Sequence, residues 1–299
     1  MTLLAVILAL LIGQARPRAS QPWHMPWFEQ PVRRIADRAR HNGLVWTLVV
    51  AGAALASLAA HRLLLSLHPT LAFGFDVVIL CAILGVHREN HFFREVHVAL
   101  RLGELTRARQ FLSQWRGHYD PSADEAEVVR LSVVQALVAS HQNVFATVLW
   151  FSLLPGPTGA VMYRLAAALA ANRSERQDDG PEDPGVFACR AFQHLDWIPV
   201  RLTATTFAVV GNFEDAILCW RTQAQQWRGH SSGILLASGG GALGVRLGSP
   251  IDPHGHSADR PEWGCGDVPR VEMMQATVGL IWRALCLCLL VLTLIAVAA

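Results

Sequence analysis

Three apolar stretches constrain this chain more than anything else in it. Leu44 to Ala60, Thr70 to Val86 and Val278 to Ala299 carry only Asp76 and Arg283 as charges. Each is at least about as long as the seventeen or more residues a helix needs to cross a bilayer core. Lipid offers no partner for backbone N–H and C=O groups, so such stretches must satisfy their own hydrogen bonds as helices. The expected fold class is therefore all-α: a polytopic helical membrane protein with cytoplasmic amphipathic helices. Composition agrees, with 52% hydrophobic and 16% charged residues against about a quarter charged in soluble domains.

All 25 basic residues are arginine. Without lysine, a standard phosphate-binding P-loop and a lysine Schiff base are both excluded. The net charge of +2 gives no basic surface for nucleic acid. The six cysteines form no Cys-x-x-Cys, so neither a disulfide framework nor a zinc site is expected.

Arginine distribution sets an orientation. Residues before Leu44 and residues 87–143 are arginine-rich, while the link between the first two spans carries only Arg62. The positive-inside rule places both arginine-rich segments in the cytoplasm. The expected organisation is a hydrophobic segment and basic interfacial arm (1–43), a transmembrane hairpin (44–86) and a cytoplasmic helical segment (87–143). A broken or re-entrant membrane helix (144–171) and an acidic loop (172–197) follow. The chain closes with a core helix, an amphipathic helix and a Gly-rich segment (198–277), then a C-terminal span (278–299). Residues 1–13 read as an uncleaved apolar segment and Pro31–Arg40 as an interfacial helix. Gly52, Ala53, Ala56 and Ala60 are spaced for close helix packing. Gly117 stops one amphipathic helix, and Ser122 with Glu125 forms a capping box for the next. Pro155-Gly156-Pro157 interrupts an apolar run, leaving either a break that lines a cavity or two short helices joined by a turn.

The polar residues converge on His194 to Arg201, His-Leu-Asp-Trp-Ile-Pro-Val-Arg. Pro199 fits the first turn of a helix, Asp196 its cap, and Trp197 a membrane interface. Arg201 then lies about one turn inside, where a guanidinium needs a partner or a watery cleft. A capped helix with a snorkelling arginine is the plain reading; a pocket gripping an anionic group is the sharper one. Asp76 is an acid inside a span, more often paired than functional. His87 and His91 share a helix face, with His97 beyond, but the position a zinc protease needs as glutamate is Arg88. They are weak metal candidates. His254 and His256 beside Asp252 form another.

These residues carry a resemblance to the CobD/CbiB superfamily of bacterial inner-membrane proteins. Leu102-Gly103-Glu104-Leu105 with Ala108-Arg109 is similar to that family's helix start. Gly156 to Arg164 is similar to its glycine–proline–x–glycine–alanine–x–x–tyrosine–arginine loop. Leu195 to Leu202 is similar to its tryptophan–isoleucine–proline–alanine–arginine–leucine block. The chain looks most like the AmpE branch. The synthase branch joins an aminopropanol phosphate to a corrin carboxylate with ATP and Mg²⁺. Its polar positions are here replaced by Gly117-His118-Tyr119-Asp120, by Ala139-Ser140 and Asn143, and by Ala166 to Ala171.

The resemblance thus implies a regulator without catalytic residues, linked to β-lactamase induction and cell-envelope stress. Its cleft would be built from Arg164, Asp196, Trp197, Arg201, Gly244 and Arg246. The partners under this reading are the lipid bilayer, an anionic envelope metabolite or nucleotide, and a membrane or cytoplasmic regulatory protein. No cofactor is established under this reading. The alternatives are the synthase, which alone brings in ATP and Mg²⁺, and a scaffold recruiting partners through residues 87–143.

Overall fold

The computed structural model describes residues 2–15, 43–84, 86–117, 121–171, 185–224, 232–248 and 264–298; at 14, 15, 86–88, 171, 185 and 186 only the backbone is described. The interfacial arm with Pro31–Arg40, most of the acidic loop and the His254/His256 loop lie outside these residues. The sequence Gln-Trp-Arg-Gly-His occurs at 114–118 and again at 226–230, and the second copy also lies outside these residues.

The described residues are almost wholly helical, with an isolated bridge between Val245 and Asp267. The helices are α1 (Thr2–Ala15), α2 (Gly43–Leu67), α3 (Pro69–Leu84), α4 (Val86–Arg101), α5 (Leu105–Arg116) and α6 (Glu125–Ser140). A π-helical turn, His141–Phe145, leads into α7 (Ala146–Leu153). Then come α8 (Thr158–Ala171), α9 (Gly185–Val210), α10 (Phe213–Gln223), α11 (Ser232–Leu243) and α12 (Val271–Ala298). Four stretches are long and apolar enough to cross a membrane: Gly43–Leu67, Pro69–Arg101, Glu125–Leu153 and Val271–Ala298. Large apolar side chains stand exposed along α2 (Leu44, Leu48, Leu55, Leu63) and α12 (Leu290, Leu294, Ile295). Lipid, not water, is the medium that leaves such rows without penalty.

The chain forms two units. The first comprises residues 1–87 and 142–197. Here α1 packs on α3, α2 on α3 and α8, and α7 on α8. Ala5, Val6, Ala9 and Leu10 make the buried stripe of α1. His68 separates α2 from α3: its Nδ1 accepts from the Thr70 backbone N–H at 3.3 Å, and Pro69 takes the helix start, where its missing N–H costs nothing. The packing face of α2 differs from the small-residue expectation. Val50 packs with Leu169, Met162 and Leu165, while Gly52 has open space around it. Bulky side chains interlock with α8 here, so close backbone approach is not what joins the two helices.

The second unit comprises residues 88–141 and 198–299, in which α6 packs on α5, α11 and α12, and α10 on α11. Gly103, at φ +73°, closes α4: the Glu104 N–H reaches the Ala99 carbonyl at 2.9 Å and the Gly103 N–H the Leu100 carbonyl at 3.0 Å. This is a Schellman stop, and glycine fits because L side chains resist that backbone. The leucine–glycine–acid–leucine motif therefore ends one helix as well as starting the next. Gly117 terminates α5 as expected, with its N–H on the Ser113 carbonyl at 2.7 Å. The cap of α6 lies at Asp124, two residues past Ser122. Its carboxylate accepts from the Glu127 N–H at 2.8 Å. Asp124 and Glu127 have the same cap-x-x-Glu spacing as a capping box, so the local pattern permits both registers.

Two expectations are corrected in α9 and the cysteines. The helix expected to open near Asp196 opens at Gly185, so Pro199 lies in its interior. Phe187 meets Trp46 edge-on at 5.8 Å and Phe192 meets Tyr163 at 5.5 Å, and this packing carries the helix upstream. Pro199 removes the bond its N–H would make to Leu195. The sulfurs of Cys219 and Cys265, 46 positions apart, are bonded, tying α10 to the segment before α12. Unreduced, unfolded protein is expected to expose four thiols to alkylation, and reduced protein all six; mass spectrometry reads the difference. Six modified thiols without reductant would disprove the link.

Candidate functional site

The sequence-selected residues fall in both units. In the first, Tyr163 and Arg164 are neighbours on α8 and reach different elements. The Tyr163 hydroxyl donates to the Asp196 Oδ1 at 2.8 Å, with Tyr163 0% and Asp196 2% exposed. Phe192 and Asp196 are four residues apart on α9, so one face presents a ring and a carboxylate to Tyr163. Asp196 is thus a buried interior acceptor rather than a helix cap. Its helix has already begun at Gly185, so the N–H groups near it are committed to the helix. Trp197, beside it, is exposed, as an interfacial indole would be.

Arg164 Nη1 donates to the Oδ1 of Asn143, a buried residue in the π-helical turn. Such turns widen a helix by one residue and recur at functional sites. The Thr147 hydroxyl answers the wider spacing by donating to the Gln142 carbonyl at 2.9 Å. The planar guanidinium fork suits an anionic group. Sequence reasoning missed Tyr163 and Asn143 as members of this cluster. Tyr163 had a signal, since it precedes Arg164 in the quoted motif, whereas the role of Asn143 depends on a bulge that no local pattern announces.

A second polar pair also lies in the first unit. His61 Nδ1 meets Asp76 Oδ1 at 2.8 Å, and the imidazole packs against Gly156, where a Cβ would come within 2.6 Å of Nδ1. Asp76 is therefore paired.

In the second unit, Arg201 is partly buried on α9. Thr203 donates to the Pro199 carbonyl at 3.0 Å and meets the His141 Nδ1 at 2.9 Å. Gly244, at φ +65°, closes α11: Val245 N–H reaches Gly240 and Gly244 N–H reaches Gly241. Arg246 is exposed, and its N–H bonds the Asp267 carbonyl at 3.0 Å. The glycine-dense stretch therefore does two jobs. Gly239 to Gly241 are buried within α11, where Gly241 faces the Asp215 carbonyl 2.5 Å from its would-be Cβ. Only Gly244 and Gly248 belong to a loop that could face a ligand.

The histidine candidates do not gather. His91 lies 3.9 Å from Glu95 on its own helix, the buried Nε2 of His97 has no partner among the described residues, and the His87 side chain lies outside them. Among the described residues no three His, Cys, Asp or Glu side chains come together as metal ligands.

The model of the CobD/Cbib protein family matches residues 2–281. A cobalamin biosynthesis protein CobD of Chromobacterium violaceum is 32% identical over 293 residues, covering 94% of this chain and 91% of that protein. One of Stutzerimonas stutzeri is 34% identical over 229 residues, covering 77% and 75%. The cobalamin biosynthesis protein CbiB of Salmonella typhimurium is 26% identical over 264 residues, covering 84% and 80%. No solved structure matches. With four membrane-length helices, the chain is a multi-pass protein of the bacterial inner membrane. The AmpE-like regulatory reading, with its link to β-lactamase induction, is overturned. These relatives are named for cobalamin biosynthesis, and their similarity runs through most of the chain.

Proposed function

Because the chain belongs to the CobD/CbiB protein family, we propose that it takes part in cobalamin biosynthesis. The reaction is the one the resemblance implies: ATP-dependent joining of an aminopropanol phosphate to a corrin carboxylate. The observation that carries this reading is the Chromobacterium violaceum relative, matched almost end to end at 32% identity. The departures from the synthase pattern at Ala139, Ser140, Asn143 and Ala166 to Ala171 weigh less than that continuous similarity. Of these positions, Asn143 meets Arg164 and Ala166 is fully buried.

Within this reading, Arg164 supplies positive charge to an anionic group of the substrate, and the Tyr163–Asp196 bond fixes the helix that presents it. Asn143 orients the guanidinium. Trp197 holds α9 at the interface, and Arg201, Gly244 and Arg246 are ligand candidates of the second unit.

The test is complementation. In a bacterium lacking its own CobD/CbiB protein, this chain is expected to restore growth that depends on cobalamin made through cobinamide. Absence of growth with the chain present in the membrane at a normal level would sink the proposal.

A further inference from the structure

A separate group of charges lies in the second unit, built on Arg116 and Arg130. Arg130 sits in the second turn of α6, with its side chain 12% exposed. Its Nη2 donates to the Glu127 Oε1 one turn earlier. Its Nη1 fills the place a Cβ would occupy on Gly248, which has φ +63°. Its Nε is buried and has no hydrogen-bond partner among the described residues.

Arg116 ends α5, which packs on α6, and is close enough to Glu127 and Arg130 to feel both charges. Burial draws its pKa below the ordinary arginine value; Glu127 opposes this and Arg130 adds to it. It makes no hydrogen bond or ion pair to a described residue.

Two guanidiniums thus lie near one carboxylate, which among the described residues only Arg130 bonds. The group keeps a net positive charge where water is scarce, with the Arg130 Nε and the whole Arg116 fork unused. Buried charge and unmade hydrogen bonds both cost stability unless a partner answers them. We propose that Arg116 and Arg130, held at Gly248, form a binding site for the phosphate group of a small phosphorylated molecule. A planar arginine fork matches a phosphate's oxygens in pairs. Glu127 already supplies a carboxylate, and the remaining donors outnumber what a second carboxylate could accept. Arg116 lies between the membrane-length stretches Pro69–Arg101 and Glu125–Leu153, in the arginine-rich segment that the arginine bias assigns to the cytoplasm, where phosphorylated metabolites reside. The site does not depend on the biosynthetic reading, since a phosphate would bind whatever reaction follows.

The test is calorimetric titration of the full chain, purified in detergent, with inorganic pyrophosphate at constant ionic strength. Saturable binding is expected, weakened at least about tenfold in Arg116→Gln, since charge-assisted bonds of this kind are the strong ones. Arg221→Gln, which removes an exposed arginine on α10, should bind as wild type. Arg116 is the residue to change because Arg130 is pinned to Glu127 and Gly248, and its loss could unfold the loop. No saturable binding by the wild-type chain would overturn the site. So would undiminished binding by Arg116→Gln, or equal weakening by Arg221→Gln. Complementation failing while pyrophosphate still binds would reject the biosynthetic reading and leave this site standing.

Discussion

Gly159→Ala should prevent this protein from accumulating in the membrane, although alanine is the better helix former. Gly159 lies in the first turn of α8, directly against α7. An added Cβ would overlap the Trp150 carbonyl oxygen, lying 2.6 Å from its carbon and 3.2 Å from the Trp150 Cβ. Two of those atoms are backbone of a packed helix and cannot swing aside. Overpacking of this kind costs about 1–3 kcal/mol or more. The helix-propensity gain from glycine to alanine is about 1 kcal/mol, so the clash decides the sign. Gly52→Ala on α2 is the matched control, because nothing lies within 4 Å of its would-be Cβ. The expected result is loss of folded Gly159→Ala protein and unchanged or raised stability of Gly52→Ala, read by membrane level and thermal unfolding in detergent. Equal stability of Gly159→Ala and wild type would contradict the packing of α7 on α8.

The second large effect is expected at Arg164. Arg164→Ala should abolish the growth conferred by this chain and lower product formation about 100-fold or more, the usual scale for removing a preorganised donor from a site of developing charge. The protein should still reach the membrane, because Arg164 is only partly buried and no backbone clash is created. Asn143→Leu should fall between the two. It leaves the guanidinium in place and removes the amide that orients it. If Arg164→Ala supports growth like the wild type at equal membrane level, the proposed site is wrong.

The sequence made some of this legible because the cause is local. An uncharged run in lipid has few solutions other than a helix, so the all-α membrane class followed from Leu44 to Ala60 and its companions. Gly117 was legible as a stop because only its own backbone is involved. Pro199 was misread because local rules fit two positions. Proline opens a helix well, but Phe187 and Phe192 pack on Trp46 and Tyr163, and that packing starts α9 far upstream. The partner of Asp76 is His61, on another helix. The Cys219–Cys265 link joins positions far apart in sequence, and no spacing rule marks it.

The regulatory reading failed for a related reason. Departures at single polar positions were weighed as loss of chemistry. Yet the same chain aligns with cobalamin biosynthesis proteins over most of its length. Tyr163 and Asp196, which flank or belong to the quoted motifs, are joined by a buried hydrogen bond. Residues that a motif names singly become a site only when tertiary packing brings them together, and only the fold reveals that Tyr163 and Arg164 serve α9 and the π-helical turn respectively.

The most direct test of the central claim is chemical. The purified full chain in detergent is supplied with an adenosylated corrin carboxylate, aminopropanol phosphate, ATP and Mg²⁺, and the corrinoids are followed by mass spectrometry. The account predicts a product whose mass is that of the two substrates joined with loss of water, formed only when ATP is present and lost in Arg164→Ala. Unchanged corrinoid after incubation with folded wild-type protein, under conditions where a CobD relative forms the product, would contradict it.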